Sequence, residues 1–172
     1  MKALLVVDVQ NDFCPGGALA VSEGNKVVPV INRLMDDFPI VVASQDWHPP
    51  ETQHFEKWPP HCIRETEGAA LHPDLRRELI SRVFQKGTGD RDDGYSAFEA
   101  TNADLHQFLK ENEVDELYIA GLATDFCVCS SALDAVRAGF RVRVIENAIA
   151  AVGDPKPAMH EMMEAGIEFV RL

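Results

Sequence analysis

Cys127 is the residue whose type and position in the sequence most strongly indicate chemistry. It lies in Gly121-Leu-Ala-Thr-Asp-Phe-Cys-Val, directly after an apolar run and in the first turn of a predicted helix. Free backbone N–H groups and the helix dipole lower the pKa of a thiol there, and the same N–H groups can hold an oxyanion. The position favours a nucleophile, although a free cysteine can also be a small buried hydrophobic residue. Cys129 faces another side of the helix and is interpreted as packing.

Asp8 and Lys86 are charged residues at the carboxyl ends of two other apolar runs. Asp8 ends the run Val-Val-Asp-Val, and Lys86 comes shortly after residues 82–84. A lone acid at a strand end can also be a helix cap or part of a solvated edge. If the runs are parallel strands, Asp8, Lys86 and Cys127 emerge at the same edge of the sheet, and Lys86 would lower the thiol pKa further.

A carboxylate and three imidazoles lie within one Pro-rich segment. Asp46-Trp47-His48 is followed by His54 and His61, with no helical or strand periodicity between them. One such histidine would be expected at the surface, but an Asp-x-His pair with two further histidines indicates a metal site. Nitrogen and oxygen ligands suit a borderline divalent ion. We predict one divalent ion in a metal-binding loop at about residues 46–71, with zinc as the first choice and iron or manganese as alternatives.

Three aromatic residues, Phe13, Trp58 and Tyr95, lie on segments that follow predicted strands. Aromatic side chains on such loops favour a flat apolar ligand held between rings. Each of them could equally pack against its own loop. The long segments 46–71 and 87–98 both follow a predicted strand, and loops of this length in a compact domain are usually functional.

Short Val- and Ile-rich runs alternate with amphipathic segments along the chain. The apolar runs predict strands, and the amphipathic segments predict helices. The predicted strands are residues 3–9, 40–44, 82–84, 117–120, 142–145 and 167–170, and the predicted helices are residues 25–37, 73–81, 102–113, 125–138 and 157–165. This order predicts one α/β domain over residues 1–172, with a doubly wound six-stranded parallel sheet and helices on both faces, a Rossmann-like three-layer sandwich. Ligands bind at the carboxyl edge of such a sheet.

Charge and cysteine usage exclude several classes of protein. The net charge of −12 argues against nucleic acid and against anionic membranes as partners. No apolar run is long enough for a membrane span, and the opening Met-Lys-Ala-Leu-Leu-Val-Val lacks the features of a secretory signal. The four cysteines form no zinc-finger or disulfide pattern. We therefore expect a cytoplasmic protein with free thiols, and we leave its oligomeric state open, a homo-oligomer included.

Several motifs resemble those of a known hydrolase family. The opening Val7-Asp8-Val9-Gln10-Asn11-Asp12-Phe13, followed by Pro15-Gly16-Gly17-Ala18-Leu19, resembles the isochorismatase-like hydrolases. Six further motifs are similar to the nicotinamidase (pyrazinamidase) branch of that family, in order along nearly the whole chain. They are Asp46-Trp47-His48-Pro49, His54-Phe55, Trp58-Pro59-Pro60-His61-Cys62, Lys86-Gly87, Tyr95-Ser96-Ala97-Phe98 and Ala123-Thr124-Asp125-Phe126-Cys127-Val128.

The resemblance implies a nicotinamidase that converts nicotinamide to nicotinate and ammonia through a thioester, with pyrazinamide as a further substrate. It implies a catalytic triad of Asp8, Lys86 and Cys127, and an oxyanion hole formed by the N–H groups of Ala123 and Cys127 after a non-proline cis peptide bond. The implied metal ligands are Asp46, His48, His54 and His61. The implied binding residues for a small aromatic carboxamide are Phe13, Leu19, Trp58, Tyr95 and Phe126.

Two other functions remain open at this stage. An N-carbamoyl amidohydrolase of the same family would keep the triad, but that branch generally lacks the metal ligands. A metal-binding or thiol-redox module without catalysis would leave Asp8 and Lys86 without a role. The sequence departs from the family pattern at residues 63–69 and at Phe126, where some members have histidine, so the substrate range also stays open.

Overall fold

The computed structural model describes residues 1–172 and contains a six-stranded parallel sheet. Every pair of neighbouring strands is parallel, and the strand order is β3-β2-β1-β4-β5-β6. The strands are β1 (Lys2–Val7), β2 (Ile40–Asp46), β3 (Arg82–Lys86), β4 (Glu116–Leu122), β5 (Arg141–Ala150) and β6 (Glu168–Val170). All six predicted strands are therefore confirmed, and β5 continues five residues beyond its predicted end.

Five α-helices accompany the sheet. They are α1 (Val27–Leu34), α2 (His54–Lys57), α3 (Leu105–Glu111), α4 (Cys129–Arg137) and α5 (Lys156–Glu164). The apolar side of α1 packs on one face of the sheet, whereas α3, α4 and α5 pack on the other. The predicted doubly wound fold with helices on both faces is confirmed. None of these helices has both the length and the apolar character that a membrane crossing requires.

The central strand β1 explains why the apolar runs show no alternation. Ala3, Leu5 and Val7 belong to the core under α3, α4 and α5, while Leu4 and Val6 belong to the core under α1. Side chains in a strand point alternately to the two faces, so both faces must be apolar when both are covered. Full burial of each Val or Leu side chain contributes about 1.5–3 kcal/mol.

The predicted helix at residues 73–81 is wrong. The segment forms only the short 3₁₀ turn Arg77–Leu79. The backbone N–H of Arg76 donates to the side-chain oxygen of Asn32 on α1, and the Arg76 guanidinium contacts the Asn32 carbonyl and Asp36. These contacts replace the hydrogen bonds that a regular helix would make, and Leu75 still reaches the core.

The prediction that residues 46–71 lack regular structure is wrong in part, because some regular structure is present. The segment contains the single-turn helix α2, and isolated β-bridges join His48 to Ile63 and Gln10 to Leu71. The Gln10 side chain donates to the carbonyls of Asp46 and Ala69 and accepts from the Asp46 N–H. These buried hydrogen bonds hold both ends of the segment against the sheet.

The chain reverses its direction across the sheet between β1 and β4. From β1 it proceeds to β2 and β3 on one side, and it then returns to β4 on the other side. Crevices at such a switch point, outside the carboxyl ends of the strands, are the usual ligand sites of doubly wound folds. Asp8 follows β1 and Cys127 follows β4, so the two residues lie on either side of this crevice.

Candidate active site and metal centre

The ammonium group of Lys86 lies at the centre of a buried cluster of reactive side chains. Its Nζ atom is 2.6 Å from Asp46 Oδ1 and 2.8 Å from Asp8 Oδ2. It also donates to the carbonyl of Gly94 at 2.9 Å and to Cys127 Sγ at 3.4 Å. An oxygen of each carboxylate and the Cys127 sulfur lie within 4.8 Å of one another. These three could themselves suggest a metal site, but the ammonium group already supplies the cation between them.

Asp8 is positioned by its neighbour on β2. Ser44 Oγ donates to Asp8 Oδ1 at 2.7 Å, and the Asp8 N–H donates to the Ser44 carbonyl at 3.2 Å. Ser44 pairs in register with Val7, which brings it beside the residue that follows. Ser44 was not among the site residues predicted from the sequence. The signal available was a polar residue at the end of the apolar run Ile40-Val-Val-Ala, in a strand that is buried throughout.

Cys127 lies at a tight turn between β4 and α4. Residues Thr124–Val128 form a π-helical turn that leads directly into α4, and the Leu122–Ala123 peptide bond is cis, as the resemblance implied. The carbonyl of Ala123 accepts from the N–H groups of Phe126 and Val128, whereas the Ala123 N–H donates to no acceptor in the protein. A free backbone donor beside the cysteine is the feature that an oxyanion hole requires.

The pKa of the Cys127 thiol is not lowered as the helix position predicted. Burial raises it well above its usual range; Lys86 opposes this effect, and Asp8 and Asp46 add to it. The prediction is wrong because the cost of desolvating a thiolate outweighs the attraction of one ammonium group. Burial likewise raises the pKa of Asp8 against the effect of Lys86. The cysteine is therefore a neutral thiol that needs a neighbouring base to accept its proton.

Lys86 keeps its charge in spite of its burial. Burial alone would lower its pKa, but Asp46 and Asp8 attract the ammonium group and raise the pKa well above the usual range. Burial would similarly raise the pKa of Asp46, and the contacts with Lys86 and His48 instead hold it below its usual range. Lys86 and Asp46 thus form a charged pair inside the protein.

The three predicted histidine ligands come together in a buried cluster. The ring centroids of His48 and His54 are 4.6 Å apart, and each is about as far from His61, at 4.9 and 5.2 Å. One nitrogen from each of the three rings lies within 4.8 Å of the other two. Asp46 Oδ2 is 3.5 Å from His48 Nε2 and 3.9 Å from His61 Nε2. Asp46 therefore joins the histidine cluster to the Lys86 cluster.

The hydrogen bonds of the three rings fit a divalent ion. Each Nδ1 atom has an acceptor: the Gly87 carbonyl for His48, Asp92 for His54 and the Pro59 carbonyl for His61. The Nε2 atoms do not take part in these contacts, and His48 Nε2 is buried without a hydrogen-bond partner. Burial lowers the pKa of His54, and it lowers that of His61 to about 4. Both rings are therefore neutral at physiological pH, which is the state that binds metals.

Gly87 permits the close approach of His48. Its φ of +63° lies in the left-handed region, and a Cβ atom there would be 2.5 Å from His48 Cε1. Only glycine combines this backbone conformation with room for the ring. The Lys86-Gly87 pair thus supplies an ammonium group to one cluster and a carbonyl to the other.

A single pocket is lined by members of both clusters. All five predicted substrate-binding residues line it together with Cys127, Asp8 and the histidines; they are Phe13, Leu19, Trp58, Tyr95 and Phe126. The Trp58 and Phe126 rings meet edge to face at 4.9 Å. Five other lining residues were not predicted from the sequence: Val21, Asp93, Gly94, Leu122 and Val152. Val152 follows β5, so its place at the carboxyl edge was a signal that could have identified it.

The fold and this pocket define a class of protein: a doubly wound α/β protein with a buried cysteine, aspartate and lysine beside a histidine cluster at its switch point. The model of the isochorismatase domain matches residues 2–171. The chain belongs to the isochorismatase family.

Relatives and solved structures agree with this assignment. The nicotinamidase of Escherichia coli is 41% identical over 95% of this chain and 90% of its own. The pyrazinamidase of Pyrococcus horikoshii in complex with zinc superposes with a TM-score of 0.91, at 38% identity, and 99% of each chain is covered. PnC1 from L. infantum in complex with nicotinate has a TM-score of 0.94 and 35% identity, with 99% of this chain and 92% of that chain covered.

Proposed function

We propose that this protein is a nicotinamidase that hydrolyses nicotinamide, and also pyrazinamide, to the aromatic acid and ammonia. The observation that carries the proposal is the contact of Lys86 with Asp8 and Cys127 beside a pocket that is also lined by three clustered histidines. This combination supplies a nucleophile, a base and a metal site to one small ligand. The nicotinamidase and pyrazinamidase names of the similar proteins support the same substrate class.

In the first step Asp8 accepts the proton of Cys127 while the sulfur attacks the amide carbon. The raised pKa of both groups lets the proton move between them with little energetic cost, because neither group is stable as an isolated buried anion. Lys86 stays charged and stabilises whichever of the two groups carries the negative charge. The N–H groups of Ala123 and Cys127 hold the tetrahedral oxyanion, and one such donor contributes about 3 kcal/mol elsewhere.

The tetrahedral intermediate then breaks its carbon–nitrogen bond. Asp8 donates its proton to the leaving nitrogen, and ammonia and a Cys127 thioester result. Asp8 is again a base and takes a proton from the water molecule that attacks the thioester carbon. Breakage of the carbon–sulfur bond releases the acid, and Asp8 returns its proton to the leaving sulfur, which restores the Cys127 thiol and the Asp8 carboxylate.

Asp46, His48, His54 and His61 would hold the divalent ion, in the metal-binding loop of a single domain over residues 1–172. The solved zinc complex of a similar pyrazinamidase supports zinc as the metal of this site. When bound, such an ion supplies a Lewis acid that can orient a ring nitrogen or a water molecule. Phe13, Leu19, Trp58, Tyr95 and Phe126 would enclose the ring between apolar walls.

The pocket lining favours a neutral aromatic amide over an N-carbamoyl amino acid. No lysine or arginine lines it, and its rim carries Asp93. An N-carbamoyl amino acid brings a carboxylate, which would need a cationic partner such as arginine. Lys86 cannot serve, because its Nζ is already surrounded by Asp8, Asp46 and the Gly94 carbonyl.

A substrate assay tests this proposal directly. We expect ammonia release from nicotinamide and pyrazinamide and at least about 100-fold lower kcat/KM for an N-carbamoyl amino acid, since a buried unpaired carboxylate costs several kcal/mol. The measurement is coupled ammonia detection at equal enzyme concentration. Activity on the N-carbamoyl compound alone would contradict the nicotinamidase assignment and favour the other branch of the family.

Metal removal is expected to abolish the activity reversibly. A chelator followed by gel filtration should leave a folded protein that releases no ammonia from nicotinamide, and one equivalent of zinc should restore the rate. The metal content is measured by elemental analysis and the fold by circular dichroism. Full activity in a protein shown to be free of metal would remove the metal from the proposed mechanism.

The non-catalytic alternative makes a different prediction for these experiments. A thiol-redox or metal-binding module would bind zinc but release no ammonia from any of the amides. It would also leave the buried Asp8–Lys86 pair without a role. We further propose a cytoplasmic location, which the four free cysteines support because such thiols persist in reducing compartments.

A further inference from the structure

Asp92 is a residue outside the proposed triad and ligand set that contacts both sides of the pocket. Its Oδ1 atom is 2.7 Å from His54 Nδ1 and accepts from the Tyr95 hydroxyl at 2.5 Å. The Tyr95 oxygen in turn accepts from Trp58 Nε1 at 3.0 Å. One carboxylate oxygen is therefore shared by a histidine of the metal cluster and by an aromatic residue of the pocket wall.

We propose that Asp92 is a positioning residue that fixes the metal-binding tautomer of His54 and, through Tyr95 and Trp58, the width of the aromatic pocket. The proposal rests on the proposed metal centre and extends it to a residue of the 87–94 loop. Asp92 would act on the metal only through His54, and it does not contact the reacting groups Asp8, Lys86 and Cys127.

The Asp92 carboxylate determines which nitrogen of His54 carries the proton. An ionised carboxylate accepts hydrogen bonds and cannot donate them, so His54 must carry its proton on Nδ1. The lone pair then lies on Nε2, the nitrogen left for an ion. Partners of this kind typically change metal affinity by about 10–100-fold when they are removed.

Of the three histidines, His54 is the one whose Nδ1 partner is a side chain. His48 and His61 use the carbonyls of Gly87 and Pro59, which no substitution of a side chain removes. His54 also lies on α2, a helix of a single turn that has few hydrogen bonds of its own to hold the ring. The orientation of the His54 ring therefore depends on Asp92 more than the other two rings depend on any one side chain.

Asp92 Oδ1 also holds the aromatic wall of the pocket. Because Asp92 can only accept, the Tyr95 hydroxyl must donate to it, and the Tyr95 lone pairs then face the Trp58 N–H. Trp58 packs on Phe126, so this chain of contacts runs across the pocket wall. Loss of Asp92 would free both the tyrosine hydroxyl and the tryptophan ring.

Three variants separate these effects. Asp92→Ala removes both hydrogen bonds, whereas Asp92→Asn keeps an amide oxygen that can accept them. Asp90→Ala is the matched control, since it removes an equal charge from the same loop at an exposed side chain that makes no hydrogen bond. We expect zinc affinity, measured by competition with a chromogenic chelator, to fall about 10–100-fold in Asp92→Ala. It should stay within threefold (about 0.7 kcal/mol) of the parent protein in Asp92→Asn and Asp90→Ala.

Tyr95→Phe tests the aromatic side by itself. It keeps the His54–Asp92 contact and removes the link to Trp58, so zinc affinity should be unchanged while KM for nicotinamide rises. Asp92→Ala should change both quantities. A rise in KM without a loss of zinc affinity in Asp92→Ala would overturn the tautomer part of the proposal.

The outcomes distinguish this inference from the proposed function. If the unmodified protein binds no zinc and releases no ammonia, the proposed function itself fails. If the unmodified protein binds zinc and hydrolyses nicotinamide while Asp92→Ala keeps the same zinc affinity and KM, only the role of Asp92 fails. A loss in Asp92→Asn as large as that in Asp92→Ala would overturn the hydrogen-bond explanation.

Discussion

Replacing Cys127 with alanine is expected to lower the rate of ammonia release from nicotinamide by at least about 10⁴-fold, as removal of the nucleophile does in other triad hydrolases. The physical reason is that no other group in the pocket can form the thioester. Asp8 accepts a hydrogen bond from Ser44 and forms an ion pair with Lys86, and these contacts position its carboxylate to act as a base. The measurement is kcat with nicotinamide under saturating substrate and zinc.

Cys129→Ala provides the matched control for this substitution. Cys129 is also a buried cysteine and lies two residues away at the start of α4, with its sulfur near the Ala158 carbonyl and outside the pocket. The Cys129→Ala substitution should leave kcat within about twofold of the parent value, because it removes only the packing contacts of one small side chain. Cys127→Ala protein that keeps the parent rate would show that the cysteine is structural.

The Cys127→Ala protein should also still bind zinc with unchanged affinity. Cys127 contacts Lys86, and the histidine cluster lies on the far side of Asp46. Parallel zinc titrations of the two cysteine variants therefore separate loss of chemistry from loss of the site. A protein that had lost both would report misfolding rather than catalysis.

Replacing Lys86 with methionine is expected to reduce both activity and stability. The substitution leaves Asp8 and Asp46 buried without their shared cation, and breaking a buried ion pair from one side costs about 3–5 kcal/mol of unfolding free energy. Asp8 would then have no cation to stabilise its charge, so proton transfer from Cys127 also becomes unfavourable. Urea unfolding gives the stability, and the ammonia assay gives the activity.

The loss in Lys86→Met should grow as the pH rises. Without Lys86, burial raises the folded-state pKa of Asp8 further above its unfolded value, because the effect that opposes burial has been removed. A carboxyl group with a raised folded-state pKa is protonated in the folded protein and ionised in the unfolded chain. Unfolding then releases a proton, and stability falls as the pH rises through that range. We expect a larger deficit at pH 8 than at pH 5.

Lys26→Met is the control for the loss of one lysine. Lys26 is exposed and pairs with exposed Glu23, a type of contact that contributes little to stability. Its urea midpoint should match that of the parent protein at both pH values. If Lys86→Met unfolded at the parent midpoint and showed no dependence on pH, the two aspartates would not need the ammonium group.

The fold and most residues of the pocket could be predicted from the sequence because both depend on local patterns. The strands of this sheet are buried on both faces, so their apolar runs stand out, and helices between them impose a parallel sheet. Parallel strands end at one edge, which is why Asp8, Lys86 and Cys127 could be assigned to the same edge before their distances were known. The histidine spacing within one segment likewise indicated a metal site.

Only the tertiary structure decided which groups touch and how they are charged. The strand order places Ser44 on Asp8 and Lys86 between two carboxylates, and no local pattern specifies lateral neighbours in a sheet. Residues 73–81 are not a helix and instead contact the side chain of Asn32, which lies in a distant segment of the chain. The raised thiol pKa of Cys127 has the same origin, because desolvation is a property of the packed interior. The sequence by itself thus determined which residues reach the ligand edge of the sheet, while the packing of the whole chain set their contacts and protonation, since both depend on residues far apart in sequence.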